Sequence, residues 1–150
     1  MHLQAPTADN ILYNKGKTIL HLYAPSKQNS EFVVPNTVKT IAESAFYESS
    51  YLTKITLTEN IETIGKFAFY SSGLEAITIP SKVTIINEST FRQCLNLKNI
   101  VFSENIITID KYAFANCAIT TLLLPSKLVE IRDSAFLGCT KLQSVPSMPS

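Results

Sequence analysis

Ile77-Thr78-Ile79-Pro80-Ser81-Lys82-Val83-Thr84-Ile85-Ile86-Asn87-Glu88-Ser89-Thr90-Phe91 is the stretch whose reading decides the fold, because the chain writes variants of it five times. Each copy ends in Ala-Phe or Thr-Phe: Ala45-Phe46, Ala68-Phe69, Thr90-Phe91, Ala113-Phe114 and Ala135-Phe136. The steps from 46 to 69, 91, 114 and 136 are 23, 22, 23 and 22 residues. A fixed period in this range predicts a solenoid, in which each repeat is one coil stacked on the last.

Working outward from each Phe, five more apolar columns appear. Fourteen residues upstream stand Phe32, Ile55, Ile77, Ile100 and Leu122; twelve upstream stand Val34, Leu57, Ile79, Phe102 and Leu124. Val38, Ile61, Val83, Ile106 and Leu128 form a third column, and Ile41, Ile64, Ile86, Ile109 and Ile131 a fourth. Downstream come Leu52, Leu74, Leu97, Ile119 and Leu142. None carries a charge, so they read as one continuous core seen end-on. A lone coil cannot bury such a face, so the coils must fold as a cooperative array.

The first two columns flank an outward residue, the period-2 signature of a short strand, and a strand at constant period predicts a parallel sheet along one side. Pro35, Pro80 and Pro125 fall just past these strands and mark where pairing stops, because proline has no amide hydrogen. The Phe segments, such as Glu43-Ser44-Ala45-Phe46-Tyr47-Glu48, are too short for an independent helix and read as one helical or 3₁₀ turn on the opposite wall.

A second period of 45 residues overlies the first. Glu59-Asn60 and Glu104-Asn105 mark coils two and four; Pro80-Ser81-Lys82 and Pro125-Ser126-Lys127 mark coils three and five. Three residues before each Phe the sign alternates through Glu43, Lys66, Glu88, Lys111 and Asp133, which avoids like charges in adjacent coils and reads as a solvated ladder. Phe67 and Tyr112, one residue further on, are expected to be partly exposed and packed on neighbouring coils.

Residues 1–31 lie outside the repeat. Ile11-Leu12-Tyr13 and Thr18 to Tyr23, around a Gly16-containing turn, read as a hairpin covering the open N-terminal end of the core. Residues 32–150 form the solenoid, of about five coils. Val145-Pro146-Ser147 opens a further strand but places Ser147 at its second core position, so the last coil reads as incomplete.

The net charge of +1 gives no electrostatic case for nucleic acid or an anionic membrane. No apolar run is long enough to span a bilayer, and Met1-His2-Leu3-Gln4-Ala5-Pro6 has no signal-peptide pattern. Cys94, Cys117 and Cys139 recur three residues after Phe, where Ser49 and Ser72 stand in the first two coils. Recurrence at one repeat position predicts small buried turn residues with free thiols, titrating only after denaturation; the clustered spacing of a zinc site is absent. His2 and His21 have no nucleophile or carboxylate at motif spacing, and no phosphate loop is present. The expectation is therefore no enzymatic activity, no cofactor and no metal.

One surface invites a partner. The outward strand residues run Val33, Thr56, Thr78, Val101 and Leu123, with Lys54, Asn99 and Thr121 beginning their strands. Exposed apolar residues on a soluble array favour a protein or glycan contact; β-branched residues also suit strands on their own account.

Leu52-x-x-Ile55-x-Leu57, Leu74-x-x-Ile77-x-Ile79, Leu97-x-x-Ile100-x-Phe102 and Ile119-x-x-Leu122-x-Leu124 match the leucine-rich-repeat strand pattern. The span from Ile79 to Cys94, Ile-Pro-x-x-Val-x-x-Ile-x-x-x-x-Phe-x-x-Cys, resembles the BspA-like subclass, and the likeness extends from Phe32 to Val145. The asparagine of ordinary leucine-rich repeats is present only at Asn60 and Asn105, so no asparagine ladder is expected. The resemblance implies a β-rich α/β solenoid: a right-handed superhelix with one parallel strand per coil and a β-hairpin cap. It implies an adhesin or surface antigen at the cell surface or outside the cell, binding a protein or glycoprotein through the sheet face. The alternative is a structural fragment that self-associates end to end through its incomplete last coil.

Overall fold

The computed structural model describes residues 9–150; the readings made on Met1–Pro6 and on His2 lie outside the described residues. The chain winds as expected, but three sides of the solenoid carry hydrogen bonds between coils. The sheet side carries β3 (Glu31–Val33), β5 (Lys54–Thr56), β7 (Ala76–Thr78) and β9 (Asn99–Val101). A second side, not read from the sequence, carries two-residue strands: β4 (Thr40–Ile41), β6 (Thr63–Ile64), β8 (Ile85–Ile86), β10 (Thr108–Ile109) and β11 (Glu130–Ile131). All pairings among these strands are parallel.

The third side is the Phe wall, and among the described residues it contains no helix. Two residues before and two after each Phe the backbone is left-handed: Ser44 and Glu48, Phe67 and Ser71, Ser89 and Gln93, Tyr112 and Asn116, Ser134 and Gly138. These interruptions explain why the expected helical turn does not form. Alternate amides face along the axis, so Ser44, Phe46 and Glu48 donate N–H to the carbonyls of Lys66, Ala68 and Tyr70 in the next coil at 3.0, 2.7 and 2.8 Å. The intervening amides of Ala45, Tyr47 and Ser49 close local turns onto Ala42, Ser44 and Phe46. The wall is thus a ladder built from turns, and its main-chain groups are satisfied without regular secondary structure.

Inside, Phe46, Phe69, Phe91, Phe114 and Phe136 stack in one file, with successive ring centroids 4.9, 5.4, 5.2 and 5.4 Å apart. The first four are fully buried and Phe136 is half-buried. Cys94, Cys117 and Cys139 are free, and each donates S–H to the Phe carbonyl of the coil before, Phe69, Phe91 and Phe114, at 3.0–3.1 Å. Cys94 and Cys117 are buried but Cys139 is half-buried, so the column is less sealed at its end than its sequence suggests.

The 45-residue period has a physical basis at the corner after the sheet side. Glu59 accepts from the Ser81 amide and hydroxyl at 3.2 and 2.8 Å, and Glu104 accepts from the Ser126 amide at 2.8 Å. Asn60 and Asn105 reach back to the carbonyls of Asn36 and Ser81 at 2.8 and 2.9 Å. The Glu-Asn of an even coil therefore clamps the coils on both sides. Of the alternating charge column, Lys66 and Glu88 form an ion pair at 3.6 Å, with Lys66 exposed and Glu88 half-buried. Phe67 and Tyr112 are half-buried; Tyr112 packs under Arg92 of the preceding coil, as expected, whereas the ring contact of Phe67 is with Tyr70 of its own coil.

The hairpin is present: β1 (Ile11–Tyr13) and β2 (Ile19–Tyr23) are antiparallel, and β2 continues in parallel onto β4. Tyr23 lies over Phe46 and Phe32 with centroids 5.0 and 5.1 Å away. Asn14 fixes the hairpin turn by accepting from the amides of Thr18 and Ile19 at 2.8 and 3.0 Å.

Two expectations fail at the other end. The segment 121–123 is not hydrogen-bonded to β9, and 145–147 forms no strand. Val145, expected to enter the core, is 84% exposed. Pro146 and Pro149 supply no amide for a ladder.

Candidate functional site

The strand geometry turns alternate side chains outward, so Glu31, Val33, Lys54, Thr56, Ala76, Thr78, Asn99 and Val101 share one exposed surface. Register places Glu31 beside Lys54 and Val33 beside Thr56, then Ala76 beside Asn99 and Thr78 beside Val101. Thr121 and Leu123 prolong the surface without ladder bonds. All eight residues singled out from the sequence are therefore exposed: Val33, Lys54, Thr56, Thr78, Asn99, Val101, Thr121 and Leu123. Val33, Val101 and Leu123 are 65%, 58% and 86% exposed, so three large aliphatic side chains project into water along one column.

Sequence reasoning missed a second exposed apolar set, Ile85, Ile107 and Val129, on the side built from two-residue strands. The signal was present, since these residues sit between two core columns, but segments this short show no alternation to read. The open end was anticipated only as an incomplete coil. It holds a cavity of about 410 Å³ lined chiefly by Leu124, Ile131, Phe136, Cys139, Leu142 and Val145.

Ionisable groups are arranged for structure. Burial pushes the Cys94 thiol up to about 11, against the smaller opposing effect of its Ser72 hydrogen bond. Burial likewise raises Cys117 and Cys139. Burial, with the Asp9 charge, raises Tyr13 to about 12. Among the described residues no three of His, Cys, Asp and Glu cluster as metal ligands would, and no helix is long and apolar enough to cross a membrane.

Stacked coils with parallel strands and an internal file of Phe define a leucine-rich-repeat solenoid. The chain belongs to the BspA-type leucine-rich-repeat family, whose repeat matches residues 21–143 in six copies. Three solved structures show the same architecture. A leucine-rich-repeat protein of Treponema pallidum is 25% identical, with a TM-score of 0.80 over 93% of this chain and 69% of its own. One from Bacteroides ovatus is also 25% identical, with a TM-score of 0.75 over 93% of this chain and 38% of its own. The pneumococcal vaccine antigen PcpA is 27% identical, with a TM-score of 0.59 over 87% of this chain and 34% of its own. The chain thus spans well under half the length of the last two proteins. No curated protein matches it.

Proposed function

We propose that this protein is a non-catalytic binding module that holds another protein or glycoprotein on its sheet side. The observation that carries this reading is the outward column itself: Val33, Val101 and Leu123 stand exposed among Thr56 and Thr78, presenting aliphatic groups with few charges. Such surfaces on soluble proteins mark contact sites, and solenoids present extended platforms to partners. The likeness to a vaccine antigen supports an adhesive or antigenic role at a cell surface. Replacing Val101 and Leu123 together with Glu is expected to abolish partner capture and leave the melting temperature unchanged. Unaltered capture would refute the sheet-side assignment. Surface labelling of intact source cells tests the location, and an unlabelled protein removes the adhesive role.

The apolar cavity at the open end favours a second reading, end-to-end association with another copy. Light scattering across concentration distinguishes it: a persistent monomer removes this reading and leaves the first untouched.

A further inference from the structure

On the sheet side the strands pair across 23-residue steps, whereas across the 22-residue step from β5 to β7 the coils are joined at the strand entry, where Glu75 N–H donates to the Thr53 carbonyl at 3.0 Å, and then part. β3 pairs with β5 (31 to 54) and β7 with β9 (76 to 99), but β5 and β7 (54 to 76) are not ladder neighbours. Val34 donates N–H to the Thr56 carbonyl at 3.0 Å and Ile79 to Val101 at 2.9 Å; the corresponding pair, Leu57 N–H and Thr78 carbonyl, is not joined. A cleft of about 350 Å³ opens at this place, with Lys54, Thr56, Ala76 and Thr78 exposed at its rim and Ile55 and Ile77 buried at its floor.

The second side breaks at the same coil boundary, where β6 and β8 belong to different sheets. At the other steps a main-chain amide bridges: Gly65 to the Ile41 carbonyl, Asp110 to Ile86 and Arg132 to Ile109, each at 2.9 Å. At this step the side-chain amide of Asn87 donates instead to the Ile64 carbonyl at 2.6 Å. The molecule therefore closes the second-side half of the break with its own carboxamide, while on the sheet side the Leu57 N–H and Thr78 carbonyl, beyond the Glu75–Thr53 bond, stay unjoined beside the cleft.

We propose that the open half receives the carboxamide of an Asn or Gln side chain from a partner protein, its oxygen accepting from Leu57 N–H and its NH₂ donating to the Thr78 carbonyl. A carboxamide carries both functions on one planar group; a carboxylate only accepts and an ammonium only donates, so either leaves one main-chain group unpaired. This deepens the sheet-side reading and rests on it, but it uses residues distinct from Val101 and Leu123.

The test is an amide-resolved NMR titration of the ¹⁵N-labelled protein with two peptides, acetyl-Gly-Gln-Gly-methylamide and its Glu counterpart. The Gln peptide is expected to shift the Leu57 and Thr78 signals saturably and to bind at least about tenfold more tightly than the Glu peptide. Ala76→Leu, which fills the cleft from an exposed position, should remove the response, and Ile107→Thr, at an exposed position on the second side away from the cleft, should preserve it; melting by circular dichroism confirms that both fold. No saturable shift in the wild-type protein, an equal response to Glu, or shifts confined to other residues overturns the proposal. So does N-acetylglucosamine producing the same shifts more strongly than the Gln peptide, which would reassign the cleft to a sugar acetamide. If the titration fails while the Val101 and Leu123 changes still abolish capture, the sheet-side reading survives and only the cleft assignment falls.

Discussion

The two ends of the solenoid meet the same problem and answer it differently. At the N-terminal end β2 extends the second side, and Tyr23, fully buried, lies over both Phe32 and Phe46. At the C-terminal end Phe136 has a ring on one face only, and Ile131, Leu142 and Cys139 beside it are half-buried around an apolar cavity. The repeat chemistry is nearly the same at both ends. What differs is the presence of a neighbour, and the comparison teaches that burial here belongs to the contact between coils more than to any one coil.

Thiol reactivity gives the widest expected contrast between a sealed coil and an open one. Cys94 and Cys117 are buried and held as thiols, whereas Cys139 lines the open-end cavity. An aromatic disulfide reagent should label Cys139 first in the native protein, with Cys94 and Cys117 slower by roughly two orders of magnitude, as expected when labelling requires unfolding. Equal rates would mean that the end coil is as closed as the middle.

Ring truncation tests the same contrast in stability. Phe91 is stacked on both faces, by Phe69 and Phe114. Phe91→Ala should cost about 3–5 kcal/mol in urea denaturation, the usual range for a buried aromatic. Phe136→Ala, with part of its surface already facing a cavity, should cost about half as much. Equal losses would break the distinction between the ends.

Acidification should give the smallest effect, and one shared along the whole array. Glu59 and Glu104 lie below the usual carboxylate range, chiefly through the hydroxyls of Ser81 and Ser126 and then through their amides. A carboxylate held lower in the folded state adds stability that is complete above its unfolded pKa, about 4.3, and is lost as pH falls through the folded value. The melting temperature should therefore drop on acidification below about pH 4, and Glu59→Gln with Glu104→Gln should flatten part of that decline. An unchanged acid limb would show that the corner clamps contribute nothing measurable.

The core was legible because five copies let each column be checked against itself: Val38, Ile61, Val83, Ile106 and Leu128 all prove buried. The exposed face was legible for the same reason, since Thr56 and Thr78 alternate with core residues. The left-handed positions were not, because Ser44, Phe67, Ser89, Tyr112 and Ser134 share no residue type that announces the conformation. The cleft between β5 and β7 was hidden for a different reason. The 22-residue step was visible, and coil two loses its residue at the corner Ser72-Gly73-Leu74, where coil one has Ser49-Ser50-Tyr51-Leu52. Gly73 packs so closely on the Ser50 carbonyl that a Cβ would collide with it. Which ladder bonds a shortened corner forfeits depends on backbone placement that periodicity does not describe.

The hairpin also has a consequence in time. It precedes the described coils in sequence, so during synthesis it leaves the ribosome before them. Its β2 edge and the Tyr23 ring are then already in place when the first winding emerges. Each later winding is offered a finished surface by the one made just before it. The order of translation and the order of stacking coincide, and the nascent protein can assemble by accretion from its closed end.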